Sequence, residues 1–423
     1  MKRYIKQAPP PAPQDRTRLE ETVRKMLADI AASRDAAVKR YAREFDRWES
    51  DSFRVPEAEI RRVAGQLPDS FKADFEYSLK QVVGFAKRQL ETLTGFETEI
   101  EPGIVLGQKM IPVERVGCYV PGGKFPLVAS AIMSVGTAKA AGASHVVACA
   151  PPRDASGMYP YTLYALHRAG ADEIYNLGGA QAMAAMAYGC VGIAPVDMIT
   201  GAGNPFVAEA KRQLFGTVGI DLLAGPTEIL VVADDSADPA LVATDLLGQA
   251  EHGPDSPAWL VTTSRALGEA ALKEVERQLA TLPTRKTAEP AWRDHGEIVV
   301  VDSDDEAIAV ADEYAPEHLE VMTSRNGYYL ERLKNYGSLF LGEESTVAYG
   351  DKGVGTNHTL PTARAARYTG GLWVGKFIKT VTYQHLTKEA SRRIAPVMSR
   401  ICEVEGMLAH KITADVREKR YAR

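Results

Sequence analysis

Between residues 116 and 200 the chain reads VGCYV from Val116, HVVACA from His145, EIYN from Glu173 and VDMIT ending at Thr200, with helical runs between them. Short β-branched strands alternating with helices predict a parallel sheet with crossover helices. A second series follows, with EILVVAD from Glu228, AWLVTT from Ala258, EIVVV from Glu297, LEVMT from Leu319 and SLFL from Ser338. It predicts a second α/β unit. Upstream, Leu19, Val23, Met26 and Ile30 recur at helix spacing, and Asp69-Ser70 opens another long helical stretch, so the chain from Thr17 to about Leu93 is α-rich. After Gly370 the pattern reads as helical again from Leu372 to Ile394 and ends in a charged tail. No repeat of solenoid period is present.

At 423 residues the chain exceeds one ordinary core, so two domains are expected. With 45% hydrophobic and 25% charged residues, 35 Gly and 24 Pro, neither disorder nor a fibrous class fits. The net charge is −5, from 50 basic and 55 acidic residues without a long basic block. That excludes the electrostatic footprint of a general nucleic-acid binder and points to small-molecule partners. Cys118, Cys149, Cys190 and Cys402 lack CxxC spacing and read as reduced thiols of a cytosolic protein. The start, MKRYIKQAPPPAPQ, has no apolar segment behind its charges, and no run approaches about 18 apolar residues, so the expected location is the cytoplasm with no membrane contact. Ala8 to Pro13 reads as an extended arm.

Four segments could carry chemistry. In DPALVATDLLGQAEHGPD, Asp238 can cap a helix, Pro239 suits its first position and Gly253-Pro254 ends it. Gln249 and His252 lie three apart in the last turn. That is ligand spacing for a metal, or a histidine favouring the helix dipole. In YAPEHLEVM, Pro316 halts a helix and Glu317-His318 precede a strand, where they could act as acid and base or form an ordinary surface turn. In AYGDKGVGTNHTLPT, Asp351 and His358 adjoin Gly350, Gly353 and Gly355, a segment equally suited to a close ligand or to a solvated loop. Glu405 and His410 in EGMLAHK read, in isolation, as a charged helix end.

Three glycine turns follow strands and precede helices: VPGG at Val120 to Gly123, LGGAQA around Gly178 to Gln181, and TGAGNP around Gly201 to Gly203. Their amides and helix N-termini could meet a pyrophosphate, or serve only as tight turns. None completes GxGxxG, since Phe206 stands at the third glycine of the nearest match.

In order, GCYVPGG, GGAQA, GAGN, AGPTE, LLGQAEHGPDS, APEHL, GTNHTLPT and EGMLAHK resemble the motif set of the histidinol dehydrogenase family, over about Val116 to Lys411. The resemblance implies an α/β enzyme of two incomplete Rossmann-like parallel-sheet domains, with an α-helical N-terminal segment and a helical C-terminal tail. The divisions expected are an arm at 1–15, a first α/β domain of 16–115 with 230–370, a second, NAD-contacting domain at 116–229, and a tail at 371–423 exchanged in a homodimer. It implies one Zn2+ per subunit on Gln249, His252, Asp351 and His410, with Glu317 and His318 as the acid–base pair. Tyr119, Gln181 and Asn204 match NAD contacts. Thr227, His358 and Glu405 match substrate contacts, alongside the zinc ligands and the Glu-His pair, and Glu405 and His410 would complete the partner's site.

The chemistry so implied is two successive NAD-linked oxidations, of a primary alcohol to an aldehyde and then to an acid. Zinc would orient the hydroxyl, His318 would take its proton, and Glu317 would activate the water that adds to the aldehyde. KFPLVASA after VPGG, Thr227 in AGPTE, GAGN, and the segment ARYTGGLWVGKFIKTVTYQ with Trp373, Lys376 and Lys379 resemble the sulfopropanediol 3-dehydrogenase branch. That branch oxidises 2,3-dihydroxypropane-1-sulfonate to sulfolactate. The alternatives are oxidation of L-histidinol to L-histidine and a non-catalytic relative that kept the fold. A sulfonate is a permanent anion, so Arg115, Lys124, Lys376 and Lys379 are candidates for added charge, unless they are solvated or meet cofactor phosphates.

Overall fold

The computed structural model describes residues 2–10, 16–122 and 125–422. Pro11 to Pro13 of the arm, Gly123 of VPGG and the candidate cation Lys124 lie outside the described residues. The two strand series form two separate parallel sheets, as the alternation predicts. The first runs, in spatial order, Glu173–Asn176, His145–Ala150, Arg115–Tyr119, Met198–Thr200 and Gly219–Ile220. The parallel part of the second runs Gly296–Val300, Ala258–Thr262, Ile229–Ala233, His318–Met322 and Ser338–Leu341. Both therefore follow the same order, third, second, first, fourth, fifth, of half a doubly wound fold. Continuous apolar strands suit burial on both faces, and every residue of Ile229–Ala233 is at most 1% exposed.

Local chemistry sets the helix ends. Asn204, Asp238, Ser264 and Ser303 each accept a hydrogen bond from a first-turn amide of the helix they precede. Gly170, at φ 103°, closes the helix Pro160–Ala169 in the left-handed region.

The N-terminal helices are placed differently from the expected division. Thr17–Tyr41 packs on Gly179–Tyr188 and Pro205–Leu214, Glu57–Gln66 on Pro160–Ala169, and Asp69–Glu91 on Thr137–Ala141. Residues 16–91 thus cover both faces of the 116–229 sheet instead of joining 230–370. The physical reason is that their apolar stripes are buried against these two faces: Val23, Met26 and Ile30 share one core with Val147 and Met183, and Phe75 and Val82 share the other with Val146 and Leu166. The arm also has a partner, since Arg3–Lys6 adds an antiparallel strand to the outer edge of the second sheet beside Gly296–Val300.

The segment after Gly370 corrects a second expectation. Leu372, Val374 and Phe377 are buried in the core of the first sheet. Ile378–Leu386 is then a strand and not a helix, paired antiparallel with Ile104–Pro112, which pairs in turn with Phe96–Glu101. Its run of Ile378, Thr380, Val381, Thr382 and Tyr383 is β-branched or aromatic, and tertiary pairing overrides the helical period that the apolar positions also satisfy. Two helices end the described chain, Lys388–Val404 and Leu408–Tyr421, packed on each other. Among the described residues no helix is long and apolar enough to cross a membrane.

Candidate active site

The acid–base candidates sit at the amino ends of the second sheet. Ala315, at φ 47°, caps the helix Asp304–Tyr314 in the left-handed region, and Pro316 prevents the helix from continuing. The chain therefore enters the strand His318–Met322 directly through Glu317. His318 lies opposite Ile229 across the pair of central strands, which brings Thr227 and Glu228 beside Glu317 and His318. Glu317 Oε2 accepts a hydrogen bond from the Thr227 hydroxyl and another, at 2.9 Å, from the Glu228 amide. The Gln249 amide nitrogen donates to the Thr227 hydroxyl and lies 3.5 Å from His318 Nδ1.

His318 Nδ1 lies 2.9 Å from the Glu228 carbonyl oxygen. A carbonyl only accepts, so Nδ1 carries the proton in the neutral ring and Nε2 keeps its lone pair. Nε2 is buried without a hydrogen-bond partner among the described residues, 3.6 Å from Asp351 Oδ1. Burial pushes the His318 pKa down, but the carboxylates of Glu317 and Asp351 together outweigh it and bring it up to about 9. Burial is also the main influence on Glu317 and Glu228, each raised to about 7. For Asp351, burial is outweighed by His318, His358 and Lys352, which hold its carboxyl well below the usual range.

Three of the four expected metal ligands come from this neighbourhood. Gln249 lies in the last turn of the helix Pro239–Ala250 and His252 just beyond it, while Asp351 belongs to the short helix Val347–Lys352. Asp351 acts electrostatically on His252, and burial is the main reason the His252 pKa is lowered. His358 is held between the Asp351 carbonyl at 2.8 Å and the Ser130 hydroxyl at 3.0 Å. Glu405 and His410 are exposed on the terminal helical pair, at its turn and in its second helix. Among the described residues of one chain, no three His, Cys, Asp or Glu side chains converge where a metal ion could sit.

Next to this cluster a cavity of about 900 Å³ opens at the carboxyl ends of the first sheet. Tyr119, Gln181, Asn204 and His252 all line it, so the structure brings the three expected NAD contacts together and joins them to one expected metal ligand. The Gly179 amide donates to the Tyr119 hydroxyl at 3.2 Å. Sequence reasoning missed Asp46, whose carboxylate accepts from the Gly178 amide at 2.9 Å and from the Gln181 side chain at 3.0 Å, at the N-terminus of Gly179–Tyr188. It lies over 130 residues from its partners, and no local pattern marks it. Ser130 and Glu228 were also missed. Both lie inside quoted motifs, Ser130 in KFPLVASA and Glu228 as the last letter of AGPTE.

The cationic candidates spread widely. The Arg115 side chain donates to the Pro195 carbonyl at the amino end of its strand, opposite the cavity. Lys376 lies in the short turn Val374–Phe377 and Lys379 on the strand Ile378–Leu386.

Two Rossmann-like sheets thus place a cavity lined by Tyr119, Gln181, Asn204 and His252 next to a buried Glu-His pair, an arrangement that a dinucleotide-dependent enzyme can use. Residues 11–418 match the histidinol dehydrogenase family model, and the chain belongs to that family of NAD-dependent oxidoreductases acting on CH–OH groups. It is 53% identical over 407 residues to a histidinol dehydrogenase homolog of Shouchella clausii, covering 96% of each chain. It is 49% identical to the sulfopropanediol 3-dehydrogenase of Ruegeria pomeroyi, over 99% of this chain and 96% of that one. To the histidinol dehydrogenase of Geobacter metallireducens it is 42% identical, over 95% and 92%. The crystal structure of histidinol dehydrogenase from Elizabethkingia anophelis superposes with a TM-score of 0.91 at 34% identity, covering 99% of this chain and 95% of that one.

Proposed function

We propose that the chain is a zinc-dependent, NAD-linked dehydrogenase that oxidises 2,3-dihydroxypropane-1-sulfonate in two steps to sulfolactate. The observation that carries the chemistry is His318: its Nδ1 is committed to the Glu228 carbonyl, and its buried Nε2 makes no hydrogen bond among the described residues and faces only the Asp351 carboxylate, at 3.6 Å. That nitrogen takes the hydroxyl proton as the alcohol becomes an aldehyde. Glu317, with its pKa near 7, takes the proton from the water that adds to the aldehyde, and the resulting hydrate is oxidised to the acid. Tyr119, Gln181 and Asn204 would hold NAD in the cavity, where it would supply the acceptor for the hydride lost in each oxidation.

The donor set fits a zinc ion. His252 and Asp351 are half-buried, Asp351 acts electrostatically on His252, and the Gln249 amide nitrogen is used within the chain, which leaves its carbonyl oxygen as the donor. Zinc there would supply Lewis-acid polarisation of the substrate hydroxyl. Engaging Asp351 as a ligand withdraws one of the two charges that hold a proton on His318, which favours the free base.

The fourth ligand, His410, and the substrate contact Glu405 would come from a second copy of the chain. Val397, Met398, Ile401, Val404, Leu408 and Ile412 leave a large apolar surface exposed on the terminal helices, as an exchanged tail requires. Light scattering should give a dimer, and a monomer with full zinc content would overturn this assembly. Cys118, Cys149 and Cys190 are buried free thiols, which supports a cytoplasmic location.

The sulfonate reading is supported by the Ruegeria pomeroyi relative and by the KFPLVASA and GAGN segments that resemble that branch. Incubation of the protein with NAD and either alcohol should reduce NAD only with the sulfonate; turnover of L-histidinol with the sulfonate inert would reverse the assignment. His318→Ala should lower kcat by about 10²- to 10⁴-fold while NAD binding persists.

A further inference from the structure

We propose that the Asp245–Glu320 carboxyl pair is a positioning device for this site, sharing one proton and fixing the three elements that carry His318, Gln249 with His252, and Asp351. The inference rests on the roles proposed above for those residues. Glu320 is 0% exposed and stands two residues after His318, on the same face of the strand. Its Oε1 accepts from the Val347 amide at 2.9 Å. Its Oε2, as a carboxylate, finds no donor among the described residues. Asp245 accepts from the Thr346 hydroxyl at 3.0 Å, one residue before the amide that holds Glu320, so the two carboxyl groups are held on adjacent residues and act on each other. Two carboxylates held in this way cannot both stay ionised in such a place. One proton between them turns a repulsive contact into a donor–acceptor pair and satisfies Oε2.

Each anchor lies one short step from a site residue. Asp245 precedes Gln249 by one helical turn on one helix face, and His252 follows just beyond the end of the same helix. Thr346 and Val347 open the helix in which Asp351 follows Val347 by one turn. A movement of the pair is therefore passed to His318, to Gln249 and to Asp351 over a single turn or strand repeat. Apolar residues of similar volume would stabilise the same contact at least as well. What the carboxyls add is direction, because they tie three elements together through hydrogen bonds to the Val347 amide and the Thr346 hydroxyl.

The test compares Glu320→Gln, Glu320→Leu and Thr346→Val in the full chain, reading kcat, KM for NAD, zinc affinity by chelator competition, and thermal unfolding. Gln mimics the protonated carboxyl: its NH2 donates to Asp245 and its oxygen accepts from Val347. E320Q should keep kcat and zinc affinity within about threefold, while E320L lowers both by about 10- to 100-fold with KM for NAD unchanged. A folded E320L with normal kcat and zinc affinity overturns the proposal, as does a folded E320Q as damaged as E320L. If E320L does not fold, T346V decides: a loss in kcat of about threefold or more supports the pair, and none overturns it. His318→Ala run alongside separates the two readings, since an active H318A refutes the base and not the pair.

Discussion

The two parallel sheets share one strand order and are used at opposite ends. In the first, the crevice beyond Tyr119 and Thr200, where the strand order reverses, opens into the cavity lined by Tyr119 and Asn204. Gly201, at φ 121°, keeps this crevice open, because a Cβ there would meet the Tyr119 carbonyl oxygen at 2.1 Å. In the second sheet the matching crevice, beyond Ala233 and Met322, is filled by the Asp234 carboxylate. It accepts from the amides and hydroxyls of Ser236 and Ser324. The second sheet instead gathers its reactive groups at the amino ends, around Thr227, Glu317 and His318. Strand order creates a crevice, and a few side chains decide whether a ligand or a protein carboxylate occupies it.

Three substitutions would break or sharpen this contrast. The largest effect is expected beneath the open crevice. There Lys211, 4% exposed, pairs with the fully buried Asp221, and together they hold Gly201 by both its amide and its carbonyl. Lys211→Met leaves that carboxylate unpaired and should cost about 3–5 kcal/mol in denaturant unfolding, with weaker NAD binding. Unchanged NAD affinity would show that the crevice does not depend on this support.

Next comes Glu228, at the amino ends of the second sheet, with its pKa raised to about 7 by burial. The unfolded chain releases this proton near pH 4.5 while the folded chain keeps it to about pH 7, so stability falls as pH rises through that window. His318, raised to about 9, acts in the same direction between about pH 6.5 and 9. Glu228→Gln keeps an acceptor for the Ala363 amide and should raise stability at pH 8 by at most about 3 kcal/mol, flattening the slope below pH 7. A slope equal to that of the parent chain would remove Glu228 as its source.

The smallest effect is expected at the filled crevice. Asp234→Asn should cost about 1–2 kcal/mol and leave turnover and NAD affinity unchanged. A loss of NAD affinity would mean that both crevices serve the cofactor.

Much of this molecule was legible beforehand. The two strand series, the cap Asp238 and the stop at Pro316 follow from local residue chemistry, and the structure bears them out. The helical reading of Leu372 to Ile394 failed across Ile378–Leu386 because apolar residues there satisfy two periods, and only pairing with Ile104–Pro112 chooses between them. The N-terminal helices were assigned to the wrong sheet because their apolar stripes show that a face must be buried without showing against what.

By itself the sequence determined which residues could do chemistry and in what order they come: Thr227, Gln249, His252, Glu317, His318 and Asp351 all lie in motifs that are ambiguous singly and gain their meaning from the ordered set. Only the tertiary structure decided that Thr227 and Glu317, ninety residues apart, share a hydrogen bond, and that Asp46 reaches Gly178 across 132 residues. It also decided that Asp245 and Glu320 meet behind the site. Spacing along a chain fixes geometry within one helix or strand, whereas contact between elements is set by strand pairing and packing, which bring together residues that no local pattern relates.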